Sequence, residues 1–178
     1  DAHLNYAKLS YEIGNNYQSI PSILAGFMEK YPNNPNKQEI ENLLVNSYIT
    51  SKNYKEALTL LEKNKNYSNR EAYQKVTFYR GLELYTDGNY SEALSFFKKS
   101  IAEPKDAEFV ARATFWKAET EFVTSNFKEA LLSFKQFESN VNAKETPEYK
   151  NLNYNLGYAY FKLKDYDNAI NKFRNIRG

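Results

Sequence analysis

Apolar positions along this chain fall into pairs of helical stripes separated by polar breaks. The second stripe of each pair opens on an aromatic residue: Tyr17, Tyr54, Tyr90, Phe127 and Tyr166. Their intervals are 37, 36, 37 and 39 residues. Three residues after each aromatic stands Ile20, Ala57, Ala93, Ala130 or Ala169, and four further on Leu24, Leu61, Phe97, Phe134 or Phe173. Steps of three and four keep these positions on one helix face. A fixed period of this length marks stacked repeats. No run of alternating polarity predicts a strand. The pattern predicts ten helices in five antiparallel pairs: 3–14 and 17–30, 37–51 and 54–64, 69–86 and 90–103, 107–124 and 127–139, 147–163 and 166–176. The corresponding repeats run 1–35, 36–67, 68–105, 106–145 and 146–178, read together as a single all-α domain.

Helix boundaries have their own signals. Asn53, Asn89 and Asn126 are each followed three residues later by a glutamate: Glu56, Glu92 and Glu129. Asn accepts an orphan backbone N–H at a helix start, and Glu at the third position reaches back, so these read as capping boxes. The preceding helices are expected to start at Asn36 with Glu39, Ser68 with Glu71, Asp106, and Thr146-Pro147. Pro32-Asn33-Asn34-Pro35, Pro104 and the polar stretch 139–146 separate the units. Phe173 and Ile176 leave the last stripe apolar to its end, where a terminal repeat normally turns polar. Further repeats in a longer parent chain are therefore expected.

Composition narrows function mainly by exclusion. Twenty-four basic and 22 acidic residues give a net charge of +2, which provides no field for nucleic acid or an anionic membrane. Only five of the cations are arginines, against the basic stacking groove of an RNA-reading repeat. There is no cysteine, and no apolar run approaches the roughly 18 residues of a membrane span. The one histidine, His3, lacks partners at ligand spacing. Glu119 and Glu121 project from different helix faces, and Glu56, Glu92 and Glu129 are accounted for at helix starts. Gly81, Gly88 and Gly157 suit tight contacts and a turn, not a phosphate loop. No catalytic residue, metal site or cofactor is predicted, and the expectation is a non-enzyme.

The repeated residues resemble the tetratricopeptide repeat family. The fifth unit carries Leu156-Gly157, Tyr160, Tyr166, Ala169 and Phe173; the third carries Gly81, Gly88, Tyr90, Ala93, Phe97 and Pro104. The second has Tyr48, Tyr54 and Ala57, the first Tyr11, Tyr17 and Pro32, and the fourth Phe115-Trp116-Lys117-Ala118-Glu119. Ile20 departs from the expected Ala, and Arg80 and Lys117 stand where sister units have Leu44 and Leu156. Their stems are expected over the core with the heads in water. The resemblance implies a right-handed α-solenoid that binds a peptide or partner protein on its concave face. Phe27-Met28-Glu29-Lys30-Tyr31-Pro32-Asn33 is also similar to an ending found in repeat proteins of the bacterial cell envelope, including the Tol-Pal-associated coordinator and the BamD lipoprotein. With the 22 asparagines and 16 tyrosines, this suggests a periplasmic or outer-membrane-associated protein of a Bacteroidetes-type bacterium.

In that family the first helix of each pair lines the concave side. Counting back 15, 12, 8 and 5 residues from each aromatic traces one stripe. It holds Glu39, Asn42, Asn46 and Ile49; Lys75, Phe78, Leu82 and Tyr85; Arg112, Phe115, Glu119 and Phe122; Asn151, Tyr154, Tyr158 and Phe161. The candidate partner-binding residues are Asn42, Asn46, Lys75, Phe78, Tyr85, Arg112, Phe115, Phe122, Tyr154, Tyr158 and Phe161. Aromatics would anchor a partner, amides would bond its backbone, and Arg112 and Lys75 would receive a carboxylate. The competing expectation is that these aromatics only pack between repeats. A clamp for a chaperone's acidic C-terminus, known in some relatives, finds only Asn46 and Arg112 in place; Asn42, Tyr79 and Trp116 fill the other positions. Alternative functions are a spacer in an envelope assembly and, less favoured, a glycan or peptidoglycan binder.

Overall fold

The computed structural model describes residues 2–13, 19–63 and 69–177. The opening repeat phrase at 16–18, Ser68 and the side chains of His3 and Tyr11 lie outside the described residues. Among the described residues there are ten α-helices and no strand: α1 (Ala2–Ile13), α2 (Ile20–Lys30), α3 (Lys37–Thr50), α4 (Tyr54–Lys63), α5 (Arg70–Thr86), α6 (Tyr90–Ile101), α7 (Ala107–Val123), α8 (Phe127–Ser139), α9 (Leu152–Lys162) and α10 (Tyr166–Arg174). They form two compact units, Asp1–Val76 and Thr77–Gly178, the boundary falling within α5.

In the first unit α1, α2, α3 and α4 pack in chain order. Leu24, Ile40 and Leu44 are its enclosed centre, joined by Leu4, Ala7 and Phe27. Ser19 caps α2, its side chain accepting from the Ser22 N–H at 3.4 Å. The Phe27–Tyr31 ring pair, 5.0 Å apart, closes the other end of α2. The envelope-like phrase is therefore, locally, a helix stop.

In the second unit α6, α7, α8, α9 and α10 again pack in succession. Its cores centre on Phe78 and Phe97, and on Phe115, Phe134, Phe137 and Leu156. Small residues let the paired helices close. A Cβ on Gly81 would stand 2.6 Å from the Phe97 ring, and one on Gly157 would stand 2.5 Å from the Phe173 ring. Ala118 and Phe134, both 0% exposed, occupy the same places in the repeat between.

The recurring asparagine does not cap its own helix with its side chain. Asn89 and Asn126 make no such bond, and the Asn126 and Asn53 amides donate instead to Thr124 and Ser51. What recurs is a backbone turn. The N–H of Asn53, Asn89, Asn126 and Asp165 donates to the carbonyl of Tyr48, Leu84, Glu121 and Tyr160 at 2.7–2.9 Å. The residue before each sits at positive φ: Lys52 61°, Gly88 80°, Ser125 65° and Lys164 63°. Its N–H donates to the carbonyl three residues back. This is a Schellman turn, which satisfies the last carbonyls of the first helix. The asparagine carbonyl then accepts the first bond of the next helix, from Ala57, Ala93 or Ala130. Glu56, Glu92 and Glu129 are exposed in the first turn, where they suit the helix dipole.

Two other expectations are corrected. The helix expected from Thr146-Pro147 starts at Leu152; two short 3-10 turns, Ala143–Glu145 and Tyr149–Asn151, precede it. Within this stretch Thr146 and Glu148 are both turned inward, each 6% exposed. Arg80 and Lys117 do not hold their heads in water: Arg80 pairs with Glu83 at 3.3 Å, and Lys117 with Glu121 at 3.2 Å.

Candidate partner-binding groove

Three carboxylates in the second unit are drawn in from solvent, and their partners differ. Glu121 is 7% exposed, bonded by the Lys117 ammonium at 3.2 Å and by the Ser133 hydroxyl at 2.5 Å. Glu148 accepts from Arg112 Nε at 3.0 Å and from Trp116 Nε1 at 3.1 Å. Both charges are thus balanced by a cation of the same unit, as buried charges require. Glu119, on the remaining face of α7, accepts only from the Asn155 side-chain amide on α9, and no described residue forms an ion pair with it. Burial pushes its pKa up to about 7, the Asn155 hydrogen bond offsetting part of the rise.

Glu119 and Asn155 line a groove of about 370 Å³ between α7 and α9. Phe122, Tyr154, Tyr158 and Lys162 line the rest. The Tyr154 and Tyr158 rings are 4.7 Å apart and tilted by 52°. Phe173 braces Tyr158 edge-on at 5.2 Å, from the place Gly157 leaves open. Hydrogen bonding to Tyr158 raises the Tyr154 hydroxyl pKa. Nearby, Tyr85 is held up at about 12 by burial, by the Glu119 charge and by Tyr90. Lys162 lies with its ammonium 5.8 Å from the Phe127 ring centre.

The sequence-predicted residues divide sharply. Tyr154 and Tyr158 are 54% and 39% exposed at the groove, with Phe122 beside them. Phe78 and Phe115 are corrected from surface to core at 0% and 2% exposure. Phe78 meets Phe97 and Phe109, while Phe115 meets Phe134 and Phe137, so neither can touch a partner. Arg112 is not open to a partner's carboxylate, because Glu148 holds it and its guanidinium covers the Phe78 ring at 4.7 Å. Tyr85, Phe122 and Phe161 brace the turns between paired helices. Each sits edge-on to the aromatic that opens the next helix, Tyr90, Phe127 or Tyr166, at 5.3–5.7 Å. Asn42, Asn46 and Lys75 belong to the first unit. Asn46 is exposed, whereas Asn42 is partly buried and accepts from Gln38 at 3.1 Å. Lys75 is partly buried.

Sequence reasoning missed Asn155, Lys162 and Glu148 and left Glu119 unassigned. Glu119 lies on the traced stripe; the other three lie off it. A carboxylate on a helix face flanked by aromatics is the available signal.

Short-looped helix pairs, with a small residue at the three crossings of the second unit and a large aromatic sixteen positions later, define a helical-repeat fold of the tetratricopeptide type. Among the described residues no helix is long and apolar enough to cross a membrane, and no His, Cys, Asp or Glu cluster is arranged to hold a metal. A tetratricopeptide repeat model matches residues 151–174, the helix pair that carries Tyr154 and Tyr158. The fold is similar to that of a MamA RS-1 double mutant, with a TM-score of 0.63 and 15% identity over 99% of this chain and 91% of that one. It is also similar to a Podosopora anserina protein described as a kinesin light chain with nearly identical TPR-like repeats, at 0.51 and 16%, covering 99% and 92%. No curated protein sequence matches. Folds of this type are typically non-catalytic scaffolds for protein partners.

Proposed function

We propose that this chain is a protein-interaction scaffold that seats an extended segment of a partner protein in the α7–α9 groove. The carrying observation is the pair of exposed tyrosines, Tyr154 and Tyr158, set at 54% and 39% exposure beside a polar floor. Exposed aromatics over a preorganised groove lose little entropy on binding and make effective anchors. Phe122 and Lys162 extend the surface at its sides. The Asn155 amide offers the floor's hydrogen-bonding group, in the role first expected of Asn42 and Asn46. The similarity of Phe27–Asn33 to envelope repeat proteins supports a partner in a bacterial envelope assembly.

The test is affinity capture with tandem identification, comparing the chain with Tyr154→Ser/Tyr158→Ser and with Leu132→Ser. Leu132 is 64% exposed on α8, is not among the residues that line the groove, and serves as the control. The reading predicts one set of proteins retained by the control and lost by the double variant. Equal recovery on all three folded chains would exclude the groove.

A further inference from the structure

We infer that the α7–α9 groove is built for a cationic side chain, a lysine or arginine of the partner segment, held against the Tyr154 and Tyr158 rings with its charge on Glu119. This deepens the docking reading above and rests on it.

Three observations converge. Glu121 and Glu148 each have a cation from their own unit, through Lys117 and Arg112; Glu119 has an amide donor and no ion pair among the described residues. The walls beside it carry the aromatic rings of Tyr154, Tyr158 and Phe122, whose faces attract cations through their quadrupoles. Lys162, the one cation lining the groove among the described residues, is directed to the Phe127 ring at 5.8 Å and leaves the Glu119 carboxylate open.

Elimination points the same way. A carboxylate in the groove would meet Glu119 as a like charge. An apolar side chain would strip water from Glu119 and return nothing to it. An ammonium or guanidinium would satisfy the carboxylate by charge-assisted bonds and the rings by cation–π contact at once. A guanidinium already lies over aromatic rings elsewhere in this unit, Arg112 on Phe78 at 4.7 Å, with Glu148 as its counter-ion. Glu119 with Tyr154 and Tyr158 repeats that arrangement with the cation's place open to a partner.

A displayed random-peptide library selected on the whole 178-residue chain tests this. The expected peptides share a lysine or arginine. Replacing it by norleucine, or making Glu119→Gln, weakens binding by about tenfold or more, the scale of one charge-assisted contact. Glu119→Lys should reverse the preference, so that the same peptides with glutamate at that position bind best. Peptides that need Tyr158 but carry no cation, and bind Glu119→Gln equally, would overturn the inference and leave the groove as a docking site. Peptides indifferent to Tyr154→Ser/Tyr158→Ser, or no peptides at all, would overturn both. Circular dichroism of each variant separates lost binding from lost fold.

Discussion

Gly157 and Phe173 form one contact: a Cβ added at Gly157 would stand 2.5 Å from Cε1 of the Phe173 ring. The ring crosses the α9 backbone there and then meets Tyr158 at 5.2 Å. Gly81 and Phe97 repeat the arrangement two units earlier, at 2.6 Å. Phe97 is fully enclosed, whereas Phe173 is only partly buried and has room to yield. Gly81→Ala should therefore cost more in urea unfolding than Gly157→Ala, about 2–3 against about 1 kcal/mol, as overpacking does. Equal losses would mean that the ring's freedom does not set the cost.

The four Schellman turns give a second prediction. Ser125 holds φ at 65°, where a side chain is strained and glycine is not. Ser125→Gly should gain about 0.5–1 kcal/mol, and Gly88→Ala, starting from φ 80°, should lose about 1 kcal/mol. A destabilised Ser125→Gly chain would show that the hydroxyl matters more than the backbone.

Arg112 is predicted to act in stability, not recognition. Arg112→Leu strands the Glu148 carboxylate, which is 6% exposed, and should cost about 3 kcal/mol. Adding Glu148→Leu should restore much of the loss, since a buried ion pair contributes little beyond its apolar substitute. Partner affinity of the folded double variant should be unchanged; a loss would return Arg112 to the binding surface.

Glu119 gives the pH dependence. Its folded pKa, about 7, lies above its ordinary 4.5, so the folded state holds the proton more tightly. Stability from this group is full below the ordinary value and is lost as pH rises toward 7, then levels. Glu119→Gln keeps an acceptor for Asn155 and removes the charge. It should match wild type near pH 4 and exceed it by on the order of 1–3 kcal/mol at pH 8. Thermal melts across that range check the sign. A cationic ligand should in turn bind more tightly at pH 8 than at pH 5. Among the described residues, the polar side chains facing Glu119 are Tyr85, Tyr154, Asn155, Tyr158 and Lys162. The two phenols with raised values, Tyr85 and Tyr154, stay neutral through that window.

The repeat period makes the helices legible because four of the five units seat the same contact, a small residue such as Ala93 or Ala130 beneath a neighbouring helix, and only Ile20 departs from it. The turn chemistry escapes a local reading for a physical reason. An asparagine that begins one helix is also the third residue past the end of the previous one, and its backbone bond to Leu84 or Glu121 outweighs the side-chain cap. The groove is half legible. Tyr154 and Tyr158 follow from helix periodicity, but exposure depends on what sits opposite, and Phe78 and Phe115 on the same stripe are roofed by other rings. Asn155 and Glu148 bond to residues 36 positions away, which no local pattern reveals.

Backbone amide shift mapping is the most direct measurement of where a partner segment lies. With the isotope-labelled chain and a selected lysine- or arginine-bearing peptide, the largest changes should fall on 119–122 and 154–162. Contacts should appear between the peptide's cationic side chain and the Tyr154 and Tyr158 rings. Changes confined to other helices, with these two segments silent at saturation, would contradict the account.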